Sequence, residues 1–295
     1  MFDIIILRRK DQPSIRRATT KRILKILALC AGIILILGVC WFANSLVGNP
    51  ISKALATSTA KKHLEKNYAN TDYELEDVSY SFKDGYYHAQ VFSPRSIDSS
   101  FSLLINGFGK LRYDYYENNV TNGWNTAYRL RDDYRKTVDT LIESDSFPYA
   151  VILGYGDLEF ITAEYEDMPD VPDYALITNE LKLDAYYNVN ELGKKAGVLT
   201  LYIADETVSE ERLAEILLGI RECFDRAGVG FYIIDCVLEY PQDENAEYRY
   251  GNVEISEFLY SDIYADGLVE RVKAAAEKTG NYYAEQNAEK LEEKP

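Results

Sequence analysis

Between Ile26 and Ala43 the chain reads ILALCAGIILILGVCWFA, eighteen residues without a charge, and no charge follows until Lys53. A helix of roughly 20 apolar residues crosses a bilayer. A core helix seldom stays apolar on every face for about five turns. The pattern therefore predicts a transmembrane anchor over residues 23–47, with Trp41 and Phe42 near its end, where aromatic rings favour the interface.

Beyond the anchor the period changes. Asn49-Pro50 combines a capping side chain with proline at the first helical position, and predicts a helix through ISKALATSTAKKHLEKNY. Ile51, Leu55, Ser58 and Leu64 would lie near one face of it. Tyrosine-rich, β-branched runs follow: DYELEDVSYSF and YYHAQVF around Asp84-Gly85, then FSLLI and KLRYDYY around Asn106-Gly107. Asp-Gly and Asn-Gly between such runs mark hairpins. In TAYRLRDDYRKTVDTLIES, Ala127, Leu130, Tyr134, Val138 and Leu141 recur at helical spacing, with Asn125 as the expected cap. The expectation for residues 48–166 is a small antiparallel sheet flanked by helices.

YEDMPDVPD (165–173), with two prolines and a run of acids, reads as the seam before a second domain over 173–295. There LDAYYNV, AGVLTLYI, FYIIDCVLEY and NVEISEFLY read as strands. Thr207-Val208-Ser209-Glu210 fits a capping box opening a helix whose face carries Leu213, Ile216, Leu217, Ile220, Cys223, Phe224 and Ala227, closed by Gly228 and Gly230. A terminal helix starts near Asp266 with Leu268, Val272 and Ala276 inward. The fold class is α+β: a single N-terminal transmembrane helix followed by two extracytoplasmic α/β sandwich-like domains.

Charge gives the orientation. Residues 1–48 hold eight basic residues against two acidic ones, net +6; of the chain's 32 basic and 48 acidic residues, 24 and 46 remain, so the rest is net −22. Every basic residue of that first segment precedes the apolar run. The positive-inside rule then makes residues 1–22 a cytoplasmic basic arm and puts the acidic bulk outside the cell membrane. An uncleaved signal anchor is favoured over a cleaved signal peptide, because the basic region is long and the apolar run exceeds an ordinary h-region. The acidic body repels phosphate backbones, which disfavours nucleic-acid binding.

Candidate chemistry is thin. His63 and His88 sit in no nucleophile motif. Cys30 and Cys40 lie in the anchor; Cys223 and Cys236 are expected some 12 Å apart in level along their elements, too far for a disulfide, and so form two separate buried thiols. Asp243-Glu244 and Asp262 with Asp266 are carboxylate pairs without the spacing of a calcium loop, and a solvated face is their default. Gly107-Phe108-Gly109-Lys110 lacks the spacing and hydroxyl of a phosphate loop. Gly154-Tyr155-Gly156-Asp157 shares four letters with a potassium-channel filter, yet the only spanning run ends about 110 residues earlier. It reads instead as a hairpin turn between YAVIL and LEFI. The 25 tyrosines serve chiefly as strand filling.

NPISKALATSTAKKHLEKNY, DYELEDVSYSFKDGYYHAQVFSP, GWNTAYRLRDDY and AGVLTLYIADETVSEERLAEILLGIRECFDRAGVGFYIIDCVLEYP resemble the YfjL-like proteins of Gram-positive bacteria over residues 23 to about 280. The resemblance implies a membrane-associated protein with two extracytoplasmic domains, and brings no active-site residue with it. The expected function is a single-pass membrane protein with a non-catalytic extracytoplasmic binding or envelope-associated domain. Its partners would be the bilayer, through residues 23–47, and an envelope ligand or protein. No catalytic, cofactor-binding or metal residue is nominated, and no cofactor. The alternative is an envelope hydrolase using paired carboxylates.

Overall fold

The computed structural model describes residues 13–169, 171–241, 249 and 251–292. The first twelve residues of the basic arm and the pair Asp243-Glu244 lie outside the described residues. The chain is α+β and divides into two compact units, Met1–Val91 with Ser102–Asp114, and Phe92–Phe101 with Tyr115–Pro295.

In the first unit, α1 (Pro13–Val47) carries the apolar run, and residues 22–44 are exposed throughout. A core helix would bury at least one face; this one buries none of its apolar stretch, and it is long and apolar enough to cross a membrane. Gly48, at φ 69°, ends it. Asn49 then caps α2 (Pro50–Asn67) as expected, its side chain accepting the Ser52 N–H at 2.8 Å. The buried face of α2 differs from the expected one. Ala56, Ala60 and Leu64 are buried, whereas Ile51 and Leu55 are 75% and 45% exposed. Small residues let the helix settle closely onto a sheet, so volume rather than hydrophobicity selects the inner face.

That sheet runs in sequential order, β1 (Glu74–Ser81), β2 (Tyr86–Phe92), β3 (Ser100–Ile105) and β4 (Leu111–Asp114). α2 touches both edge strands, β1 and β4, and so crosses one face. Val78, Tyr87, Ala89, Val91, Leu103 and Ile105 are among the buried positions of the strands.

The second unit starts with α3 (Trp124–Ile142), then β5 (Ala150–Leu158), a short parallel pair β6 (Phe160–Ile161) and β7 (Leu176–Ile177), α4 (Val189–Ala196), β8 (Gly197–Ala204), α5 (Glu210–Ala227), β9 (Ile233–Glu239), β10 (Asn252–Leu259) and α6 (Leu268–Glu292). Its main sheet has the order β10-β9-β8-β5, with β8 and β9 parallel across the α5 crossover and the outer pairs antiparallel. Leu199, Leu201 and Ile203 of β8 and Ile234, Cys236 and Leu238 of β9 face the core, which α5 fills with Leu213, Ile216, Leu217, Ile220 and Phe224.

Several expectations change here. Gly154-Tyr155-Gly156-Asp157 is no turn: β5 runs straight through it, pairing Gly154 with Leu201 and Gly156 with Leu199. A Cβ at Gly154 would lie 2.8 Å from Ile142 Cδ1, and one at Gly156 2.5 Å from Val138 Cγ2. The glycines are where α3 lies down on the sheet. LDAYYNV is not a strand; it precedes α4, and β5 takes the fourth place in the sheet. The α3 cap is Gly123, at φ 76°, and the α5 cap is Ser209 rather than Thr207. The division between units falls at Asp114/Tyr115, not at the 165–173 seam, because α3 and β5 both pack with the second sheet.

Candidate functional site

The joint between α1 and α2 is built from two strand tyrosines closing on a glycine. A Cβ at Gly48 would meet the Tyr87 hydroxyl oxygen at 2.5 Å and Tyr80 Cγ at 2.8 Å, and the positive φ also calls for glycine. Tyr87, 2% exposed, accepts the Asn49 N–H at 2.8 Å and donates to the Asn49 carbonyl at 3.1 Å. Tyr80 donates to the Ser45 carbonyl at 3.2 Å, and its ring lies 5.1 Å from that of Tyr87. Helix ends leave backbone groups without intrahelical partners; here side chains of β1 and β2 supply them. The joint thereby couples the apolar helix to the sheet. Beside it opens a shallow cleft of about 290 Å³ whose lining includes Asn44, Gly48, Gly85, Gly107 and Phe108.

A second polar cluster lies inside the second unit. Asp98, 1% exposed, receives Nε and Nη2 of Arg129 at 2.7 and 2.8 Å, the Thr126 hydroxyl at 2.9 Å and the Asp184 N–H at 3.0 Å. Asp184, at φ 58°, returns its own carboxylate to the N–H groups of Ile97 and Asp98. Burial pushes the Asp98 carboxyl upward, but the hydrogen bonds from Arg129 and Thr126 outweigh it and hold the group below its ordinary value. Four donors occupy the acceptor positions of this carboxylate. It is a clasp rather than a base.

The third cluster is the face of the second sheet opposite the core. Tyr155 pairs with Thr200 and Thr200 with Asp235, while Tyr202 pairs with Val237 and Val237 with Glu254, so two rows of side chains cross the strands. At the bulge in β10, Glu257 has φ 53° and donates its N–H to Asp235 at 2.7 Å. Bulges re-aim side chains, and a non-glycine residue at positive φ stores strain. Burial raises the carboxyls of Asp235 and Glu159. Burial, with Glu159, Glu257 and Asp235 nearby, pushes the Tyr174 hydroxyl up to about 12. The Tyr174 ring lies 4.9 Å from that of Tyr232, tilted by 39° to it. A surface of tyrosine rings and carboxylates suits a polar ligand with stackable or hydroxyl-rich faces.

The residues weighed from sequence fall elsewhere. His63 Nε2 lies 2.7 Å from Asp114 Oδ2, which also accepts the Tyr68 hydroxyl at 2.8 Å. The other ring nitrogen faces the Asn67 amide at 3.0 Å, where a triad would place its nucleophile. His88 pairs with Asp84 at 2.7 Å in the β1–β2 hairpin. Cys223 and Cys236 are free; Cys236 is fully buried, with its thiol pushed up to about 12 by burial, whereas Cys223 is half-buried instead of buried. The N–H groups of Phe108 and Lys110 in the glycine turn are already bound by the Asn106 side chain. Asp262 and Asp266 contribute backbone carbonyls to the Arg271 guanidinium. Among the described residues, no three His, Cys, Asp or Glu side chains are grouped to hold a metal. Sequence reasoning missed the roles of Tyr80, Tyr87 and Asp98. A glycine directly before Asn49-Pro50, between two helical runs, was the available sign of the joint.

Residues 23–115 match the model of the YfjL-like N-terminal domain, and residues 133–273 that of the YfjL-like C-terminal domain. No curated protein and no solved structure gives a significant match.

Proposed function

The chain belongs to the YfjL-like family, and from that premise we propose a single-pass membrane protein with a cytoplasmic basic arm and two units outside the membrane that act as a non-catalytic envelope binding module. The observation carrying this reading is α1, an apolar helix exposed along residues 22–44. In water such a surface is costly, at about 25 cal/mol per Å² of apolar area, and a bilayer removes that cost. The concentration of basic residues before the apolar run supports the orientation. The tyrosine and carboxylate face around Tyr155, Thr200, Tyr202 and Asp235 is the surface best suited to a ligand.

The hydrolase alternative stands second. Its best footing is Glu159 and Asp235, whose carboxyls burial raises, as a general acid requires. Protease treatment of intact cells tests the leading reading. Digestion of residues 50–295 in step with a known surface protein is expected. Survival of that segment while the surface protein is cut would overturn the orientation.

A further inference from the structure

We infer that the turns bearing Phe82 and Phe108 are wedges that enter the headgroup layer of the bilayer beside the anchor, an inference that rests on the membrane reading above. Phe108 is 90% exposed and Phe82 63% exposed, each at the tip of a hairpin of the first unit. Large exposed aromatic side chains at adjacent loop tips call for a partner surface. Gly85 and Gly107 belong to the same two turns, and with Phe108 they line the cleft shared with Asn44, Gly48 and Asn49. Both tips therefore stand at the level where α1 ends. Ile51, on the first turn of α2, is 75% exposed, and Val47, at the end of α1, is 77% exposed.

The level is the right one. Gly48 is five residues past Ala43, about 7 Å along a helix axis. The headgroup layer outside the hydrocarbon is itself about 5–7 Å deep. Aromatic rings partition into that layer. Charge agrees with lipid as the occupant. Lys83 and Lys110, both exposed, flank the two phenylalanines in a body that is otherwise strongly acidic, and ammonium groups meet anionic headgroups favourably. The acid beside Lys83, Asp84, is engaged by His88 at 2.7 Å.

The turns are also held in shape. Asn106 accepts the N–H groups of Phe108 and Lys110, Gly109 adopts φ 75°, and the Thr59 hydroxyl donates to the Gly109 carbonyl at 2.6 Å. Gly85 N–H closes the other turn on the Ser81 carbonyl at 2.8 Å. A tip fixed in this way loses little conformational freedom on insertion.

The experiment uses the full chain in phosphatidylcholine/phosphatidylglycerol vesicles with brominated acyl chains, which quench nearby tryptophan emission. Trp124→Phe leaves Trp41 as the reporter of the anchor. Phe82→Trp or Phe108→Trp, on a Trp41→Phe/Trp124→Phe background, reports one tip at a time; both positions are exposed, so the exchange disturbs no packing. The expected result is a blue-shifted emission at each tip that the brominated lipid quenches, with Lys83→Glu/Lys110→Glu reducing the quenching. Quenching of Trp41 with red, unquenched emission at both tips would overturn the wedges and leave the anchor standing. Blue emission at the tips that bromine does not quench would point to a second copy of the chain as the occupant, and would also overturn the inference. An unquenched Trp41 would remove the anchor and the wedges together.

Discussion

The hydroxyl of Tyr87 accepts the N–H of Asn49 at 2.8 Å and donates to the carbonyl of the same residue at 3.1 Å. One side chain of β2 thus satisfies both backbone groups of the residue on which α1 hands over to α2. Tyr87→Phe keeps the ring and leaves the Asn49 N–H unpaired in a part-buried place, while the carbonyl keeps the Lys53 N–H at 3.0 Å. The expected loss is about 1–3 kcal/mol. It is read as a lower urea midpoint of the chain in detergent micelles. Tyr80→Phe, which gives up one bond at 3.2 Å, should cost less.

Gly156 is a test of how closely α3 sits on the second sheet. In Gly156→Ala the new methyl would meet Val138 Cγ2 at 2.5 Å and Tyr134 Cε1 at 2.8 Å, and both neighbours are fully buried. Neither can swing aside, so overpacking should cost about 1–3 kcal/mol. Gly280 of α6 has nothing within 4 Å of its Cβ position. Gly280→Ala should instead stabilise by up to about 1 kcal/mol through helix propensity. Thermal midpoints of the two variants, followed by circular dichroism, should move in opposite directions.

Two aspartates of the second unit should give opposite pH signatures. Asp98 is held below its ordinary value of 3.8, so its contribution is present above that pH and is lost as pH falls through the folded value. Removing one partner of a buried pair costs about 3–5 kcal/mol, and Asp98→Asn should fall toward the low end of that range. The reason is that the Arg129 side chain keeps 23% of its exposure. Asp235 is raised by burial, so the folded state holds its proton more tightly than the unfolded chain does, and ionisation costs stability as pH rises from 3.8 through the folded value. Asp235→Asn keeps an oxygen for the Glu257 N–H. Its denaturation midpoint should exceed that of the parent at pH 7 and converge with it below the ordinary carboxylate value. Denaturant titrations across the acid range check both signs.

Elements governed by neighbours in sequence were legible in advance. The capped start of α2, the span of β2 from Tyr86 to Phe92, the closing glycine of α5 and the onset of α6 near Asp266 all match. Their signals are a side chain reaching three residues along, an alternation of period two, and a left-handed cap. The candidate surfaces were far less legible. Asp98 and Arg129 are 31 residues apart, and Tyr87 and Asn49 are 38 apart. No local period marks such pairs.

Gly154-Tyr155-Gly156-Asp157 shows where the two kinds of information part. The residues alone specify an exposed-or-buried rhythm, an apolar helix with basic residues before it and the local starts and stops, because those depend on side-chain chemistry within a turn or two of the same chain. Two glycines in three residues carry the local meaning of a turn. Their actual meaning is the absence of side chains beneath Tyr134, Val138 and Ile142. That use exists only once α3 is brought onto β5, since close packing is a property of the surfaces that meet and not of either strand or helix before they do.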